Sequence, residues 1–264
     1  MTILVFLILF YHDFKKGFLN VDWDGIWIEA HGMWFDIIIL GLFLAIYDHF
    51  RDAKEDRLRK EDEIFLLKEE LQNIHRWKEI EANHVRARII RKLNKLNVTK
   101  IIFSQGCLLD NIDLDKANFE GSTLIQAKFN LSNLKETVFR STNLGQSDFE
   151  KTYIEETIFE KANLNDSKFT KCLINKAKFQ GATLYGAKFE EAKFNKTNLE
   201  GCKLILRDEN NIIPPICADF TNATFVETTA FEFQRHDLID CNADVTRIIF
   251  LQNPSQREIE QYIM

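Results

Sequence analysis

The stretch KANFEGSTLIQAKFNLSNLKETVF, from Lys116 to Phe139, decides the fold. It sets an apolar residue at every fifth position: Phe119, Leu124, Phe129, Leu134 and Phe139. A step of five matches neither the repeat of a helix nor the alternation of a strand. Extended in both directions, the step meets only Leu, Ile or Phe from Leu109 to Leu204. Two residues before each of these sits a small side chain, from Cys107 through Ala117, Ser122 and Ala127 to Cys202, with Ile112 the larger exception. The other three positions are mostly Asn, Lys, Glu, Asp, Gln and Gly.

In an extended segment, residues i−2 and i point the same way, so both can face one interior. The next inward residue comes three positions later, so the chain must turn a corner there. A corner every five residues winds the chain into a coil around a dry axis. The Leu/Phe alternation then fixes the number of sides. A four-sided coil stacks residues twenty apart, giving nearly uniform columns: Phe129, Phe149, Phe169 and Phe189; Phe119, Phe139, Phe159 and Phe179; Leu124, Leu144, Leu164 and Leu184. A three-sided coil would mix Phe and Leu in every column. The expected core is these residues with Leu134. Outside, twenty-residue columns predict ladders such as Glu120, Arg140, Glu160 and Lys116, Glu136, Glu156, Lys176.

KANFE, SNLKE, TNLGQ, KANLN and GAKFE carry a further signal. They resemble the pentapeptide repeat family, whose motif is A(D/N)LXX. The resemblance implies a mainly β solenoid, a right-handed quadrilateral β-helix. It covers residues 107–205 without a gap and is interrupted at 206–217, where Pro214 and Pro215 break the pattern. Units centred on Phe220 and Phe225 come after the break, so the β-helix is expected over 99–250. A capping box at Ser255 and Glu258 predicts a short carboxyl-terminal helix over 251–264, either covering the last coil or pairing with a sister chain. In related repeat proteins the carboxyl end often carries a dimer contact.

The amino-terminal half reads differently. Two apolar runs, Ile3–Tyr11 and Met33–Tyr47, open the chain. The second is flanked by Trp23, Trp27 and Trp34, then by Tyr47 and the basic cluster Arg51, Lys54, Arg57, Arg59 and Lys60. Aromatic edges and a positive flank predict membrane-associated helices over 1–50, either one span near Ile26–Tyr47 or two short ones, with the carboxyl side in the cytoplasm. The anchoring residues are Trp34, Phe35, Ile37, Ile38, Ile39, Leu40, Leu42, Phe43 and Leu44. Residues 51–98 read as a long helix or stalk, broken at most once. Its apolar stripe needs either a sister helix in a coiled coil or a return onto the β-coil, whose open edge the last part would cap. Within it Arg86, Arg88, Arg91, Lys92 and Lys95 form a candidate patch for an anionic partner, or else a solvated face.

Charge and chemistry limit the function. The coil region 101–204 is neutral, with 14 basic and 14 acidic residues, which argues against the acidic DNA-like surface of gyrase-protecting relatives. The five cysteines show no CxxC spacing and read as buried free thiols. His236, Asp237, Asp240 and Cys241 cluster in RHDLIDC but lack a second ligand pair for zinc. No phosphate loop, nucleophile elbow or HExxH motif is present, and a filled coil offers no concave site. The chain is therefore expected to be no enzyme and to need no cofactor or metal. Its expected role is that of a scaffold tethered to the inner membrane, homo-oligomeric, with the β-helix offered to a protein partner in the cytoplasm and nucleic acid unlikely. The alternatives are an oligomeric membrane-perturbing effector of a bacterial stress or phage-defence system, and a topoisomerase-modulating DNA mimic.

Overall fold

The structure, a computed structural model, describes residues 23–74, 77–207 and 215–252. The run Ile3–Tyr11 and positions 253–264 of the expected terminal helix lie outside the described residues. The chain divides into two compact units, Met1–Arg59 and Lys60–Met264.

In the first unit the described backbone belongs to helix α1, Trp23–Ile74. Successive helical residues advance by about 100°, so four in a row ring the axis. Ile37, Ile38, Ile39 and Leu40 are all exposed, as are Leu42, Phe43, Leu44, Ile46, Tyr47 and Phe50. The apolar surface therefore runs round the whole circumference. The side chains of Trp34 and Phe35 lie outside the described residues. The expected membrane span is not met: among the described residues no helix is long and apolar enough to cross a membrane. Residues 37–50 account for about 21 Å of helix, against the ~30 Å of a bilayer's hydrocarbon core. The basic residues beyond them are partly paired with acids of the same helix, Arg51 with Asp48 at 3.1 Å and Arg59 with Glu55 at 3.6 Å.

The second unit is built on the coil. Parallel bridges join residues twenty apart in four columns: Leu108 to Lys128, Asp113 to Asn133, Asn118 to Val138 and Thr123 to Asn143. The columns continue up the coil at the same step, so one turn takes twenty residues and has four sides. One side is regular enough to form strands: β1 (Tyr153–Glu155), β2 (Leu173–Asn175), β3 (Lys193–Asn195) and β6 (Thr224–Val226), parallel and in that order.

Several corners are held by one local device. The Asn or Asp before the core residue folds its side chain onto the backbone N–H two residues on: Asn118 onto Glu120 at 2.9 Å, Asp148 onto Glu150 at 3.1 Å, Asn198 onto Glu200 at 2.8 Å. These are Asx turns. The residue after the turn takes the left-handed conformation, as Lys116 (φ 58), Glu136 (φ 53), Lys151 (φ 57) and Gly121 (φ 68) do.

The interior is dry and aromatic. Phe129, Phe149 and Phe169 stack with centroids 4.8 and 4.5 Å apart and planes within 5°. Phe139, Phe159 and Phe179 stack at 5.2 and 4.8 Å. The two columns meet edge to face, as Phe149 meets Phe159 at 5.9 Å and 89°. Such contacts add to the burial of the rings themselves. All thirteen expected core residues are fully buried.

The small inward positions do more than fit. The Thr152 hydroxyl donates to the Phe129 carbonyl at 2.7 Å, Thr142 to Phe119 at 2.7 Å and Thr157 to Leu134 at 2.6 Å. The Cys172 and Cys202 thiols make the same contact with Phe149 and Phe179. Each reaches the carbonyl 23 residues earlier, one rung below, so these buried hydroxyls and thiols have partners.

The coil is interrupted after Leu204. β4 (Ile205–Leu206) pairs antiparallel with β5 (Ile216–Cys217), and the register step grows there from 20 to 31 residues, Lys188 pairing Asp219. Beyond Phe225 the coil continues in β7 (Thr228–Phe231), a 3-10 turn (Glu232–Gln234), helix α3 (Arg235–Asp240) and β8 (Ile248–Leu251), which lies parallel to β7. Helix α3 had no sequence expectation, and Leu251, placed in the terminal helix by sequence, closes β8.

At the other end the helical segment is broken once and returns onto the coil. Helix α1 ends at Ile74, and a second helix, α2 (Ile80–Lys95), lies on the coil. Leu67, Leu71 and Ile74 from α1 and Ile89, Ile90 and Leu93 from α2 join the core of the coil. This part of the apolar stripe is consumed within the chain, which leaves none of these residues for a coiled-coil seam.

Candidate interaction surfaces

The first surface to test is the basic run of α2. Its inner side caps the open edge of the first rung. Asn94 donates to the Asn118 carbonyl and accepts from the Asn118 N–H, both at 2.8 Å. Asn83 donates to the Asp110 carbonyl at 2.9 Å and Arg91 to the Asp113 carbonyl at 2.9 Å. Gln72 of α1 donates to the Ile102 carbonyl. A sheet edge that would otherwise be open is thus paired by side chains.

Arg86 is a correction to the anionic-partner patch. It is 1% exposed and points inward. Its guanidinium donates to the Ile74 carbonyl at 3.1 and 2.7 Å, to the Trp77 carbonyl and to Asn83 Oδ1 at 2.6 Å. It therefore satisfies the last carbonyl of α1 and one in the turn beyond it, where a cation also complements the helix dipole. Burial holds its pKa below the ordinary guanidinium value. The signal was present in the sequence: Arg86 precedes the inward Ile89 and Ile90 by three and four residues, which places all three on one helical face. Of the remaining patch, Arg88 pairs with Glu70 at 3.5 Å and Arg91 with Asp113 at 3.0 Å. Lys92 and Lys95 lie on the same helix, and the five residues do not converge on one site.

The outer ladders of the coil are formed. Arg140 grips Glu160 with two donors at 3.0 and 2.8 Å. Lys176 meets Glu156 at 2.7 Å, and Lys135 meets Glu155 at 3.4 Å. Each such exposed pair contributes little, because water and salt screen it. Their value lies in the fixed spacing of charge on a rigid frame.

No feature of these surfaces assembles a reaction centre among the described residues. A cleft of ≈ 860 Å³ opens at the junction of α1 and α2, lined by Ile74, Trp77, Ala82 and Val85 with Glu70, Lys78, Glu79 and Glu81. It brings together neither a nucleophile and base nor a metal set. Among the described residues no group of three His, Cys, Asp or Glu could hold a metal ion. In RHDLIDC, Asp237 and Asp240 are engaged by Arg207 at 3.1 and 3.0 Å, and Cys241 is buried. Burial also pushes the Cys107, Cys172 and Cys241 thiols up to about 12 and the Cys202 thiol further, the reverse of what an active thiol requires.

The architecture is that of a repeat protein: a filled, four-sided β solenoid whose outer faces are laddered and whose interior is closed. Two family models match it, a pentapeptide repeat region over residues 96–179 and pentapeptide repeats over residues 167–205. Residues 96–205 are thus a pentapeptide-repeat region, and this part of the chain belongs to the pentapeptide repeat family. No curated protein matches the chain. Among solved structures, a pentapeptide repeat protein (Rfr23) from the cyanobacterium Cyanothece 51142 is 14% identical, covering 55% of this chain and 95% of its own, with a TM-score of 0.31. HetL, a pentapeptide repeat protein involved in heterocyst differentiation regulation from Nostoc sp. strain PCC 7120, is 17% identical, covering 54% and 82%, with a TM-score of 0.26. A trypsin-treated form of QnrB1, a plasmid-mediated fluoroquinolone resistance protein, is 18% identical, covering 53% and 65%, with a TM-score of 0.33. At these values none carries a functional argument.

Proposed function

We propose that the chain is a non-enzymatic interaction scaffold, tethered to a bilayer through α1, whose β-coil offers a rigid surface to protein partners. The observation that carries the tether is the ring of exposed apolar side chains from Ile37 to Phe50. A helix in a two-stranded coiled coil buries one seam and leaves the rest to water. A helix apolar all round needs a surrounding that is apolar all round, and lipid provides it. The basic residues from Arg51 to Lys60 suit the anionic cytoplasmic leaflet, which favours that side for the chain beyond them. A scaffold role accords with the filled coil, in which the core has no room for a substrate and the charged groups stand on the outside.

The test uses the full chain expressed in a bacterial cell. Membranes are floated on a density gradient and then washed at alkaline pH. The chain is expected to float with the vesicles and to resist the wash, and Ile38→Asp with Leu42→Asp should release it. A chain that stays with the soluble fraction, or that sediments without lipid, overturns the tether.

A further inference from the structure

The strand-bearing side of the coil, β1–β2–β3–β6, carries two exposed apolar residues at its centre. Tyr153 is 41% and Leu173 49% exposed, and they are direct neighbours in register. Along the corner bordering this side runs a ladder with one charge per rung: Lys116, Glu136, Glu156, Lys176, Lys196 and Glu227. Glu227 belongs to it because β3 pairs β6 with Asn195 beside Val226. Within the chain the ladder is joined in pairs, Lys116 to Glu136 at 3.9 Å, Glu156 to Lys176 at 2.7 Å and Lys196 to Glu227 at 3.5 Å.

The order of signs has a property that no single pair shows. From first rung to last it reads plus, minus, minus, plus, plus, minus. Read backwards, it is its own complement. Laid against itself in the same direction, the ladder sets like charge on like at every rung. Laid against itself in reverse, it sets opposite on opposite at every rung: Lys116 on Glu227, Glu136 on Lys196, Glu156 on Lys176. The twofold axis then falls between the third and fourth rungs, and Tyr153 of one copy lies over Leu173 of the other. We propose that this side of the coil is a self-recognition surface that binds a second copy of the chain, coil axis antiparallel to coil axis.

The other columns of the side are compatible with this reversal. Asn133 falls opposite Lys193, Glu155 opposite Asn175 and Lys135 opposite Asn195, so no like charges meet. At the far corner Lys151 falls opposite Lys171, but each already has a carboxylate within its own chain, Glu150 at 3.1 Å and Glu191 at 3.7 Å. A twofold, isologous contact of this kind is the commonest symmetry of soluble oligomers. Six rungs at ~4.8 Å make a surface roughly 24 Å tall. Such a patch is small beside the ~800 Å² per partner of a stable interface, so the association is weak, reversible and weakened by salt.

Because the contact is reciprocal, charge reversal gives a test that mere structural damage cannot imitate. In Glu136→Lys chains the introduced ammonium would face Lys196 of the second copy; in Lys196→Glu chains, two glutamates would face each other. Each variant alone is expected to self-associate about tenfold or more weakly than the wild type, since like charges across an interface are strongly disfavoured. In an equimolar mixture, a mixed pair sets two introduced charges of opposite sign against each other at one contact and the two native ones at the other, and association should return. The measurement is sedimentation velocity or energy transfer between labelled full-length chains in mild detergent, at low and at high salt. Wild-type chains that remain monomeric up to high micromolar concentration overturn the proposal. So does association indifferent to both variants, which would assign it to α1 or another surface, and so does a mixture no stronger than its parts.

Discussion

The side-chain oxygen of Gln234 accepts a hydrogen bond from the backbone N–H of Gly201 at 3.0 Å, across 33 residues of sequence. The same oxygen accepts from the Phe231 N–H at 3.0 Å, and the side-chain nitrogen donates to the carbonyls of Leu199 at 3.0 Å and Cys202 at 3.2 Å. One buried amide thus pairs four backbone groups that the absent next corner would have served. It serves the Leu199–Cys202 corner as Asn94 serves the first rung.

Replacing Gln234 by Leu keeps the volume roughly constant and leaves those four groups unpaired. With each net hydrogen bond at about 1 kcal/mol, the loss should be about 2–4 kcal/mol. In a solenoid each rung depends mainly on its neighbours, so the damage should stay local. Amide exchange at Gly201 and Phe231 is expected to accelerate by orders of magnitude, while exchange at Phe149 and Phe159 stays as in the wild type.

Phe149 tests the aromatic interior. It stacks between Phe129 and Phe169 and meets Phe139 and Phe159 by their edges, so rings surround it on four sides. Phe149→Ala opens a cavity whose walls are fixed by the rungs above and below, and the expected cost is about 3–5 kcal/mol. Phe149→Leu, which places a Leu in a Phe column, should cost about 1–2 kcal/mol. Urea unfolding monitored by far-ultraviolet circular dichroism gives both values. A Phe149→Leu chain as stable as the wild type would mean that the column does not depend on ring shape.

The buried cysteines set a pH dependence. Cys107, Cys172 and Cys241 have folded-state pKa values pushed up to about 12 by burial, above the ordinary value of 9.0. The folded chain holds these protons where the unfolded chain releases them. Their stabilising contribution is therefore full below pH 9 and is lost as the pH rises towards 12, at about 1.4 kcal/mol per pH unit for each thiol. Cys172→Ala should reduce the slope of stability against pH between 9 and 11 by that amount. In the native protein a thiol reagent should modify the half-buried Cys217 and spare the four buried cysteines until unfolding.

Much of this architecture is legible in the sequence because a solenoid repeats its physics. The step of five reports corners, and the twenty-residue uniformity of Phe119, Phe139, Phe159 and Phe179 reports stacking. What the sequence hides are features made once. Gln234 is a single side chain with no periodic partner, and helix α3 comes after a segment in which the repeat has already decayed. Arg86 lies in a basic run that reads alike whether a member points out or in; only its phase against Ile89 and Ile90 distinguishes it. The Ser, Thr and Cys of the inward small position look interchangeable with Ala by size, yet Thr152 and Cys172 are placed to serve carbonyls one rung below. The exposed ladders were legible as spacing, but the pairing of Arg88 and Arg91 depends on where α2 docks.

The corners give the last test. Leu131 sits after its turn at φ 60 and is 63% exposed, so its side chain buries little while its backbone occupies the left-handed region. A residue with a Cβ is disfavoured there by about 1–2 kcal/mol, a cost glycine does not carry. Glycine in turn loses more chain entropy on folding, about 0.5–1 kcal/mol. The first effect exceeds the second, so Leu131→Gly should stabilise the coil by roughly 0.5–1 kcal/mol. Gly121 and Gly181, at φ 68 and 67, already show the corner accepting glycine elsewhere in the coil. The same substitution at Leu124, fully buried in its column, should instead destabilise by several kcal/mol. Paired denaturant melts of the two variants decide the matter, and a Leu131→Gly chain less stable than the wild type would show that the corner stores no such strain.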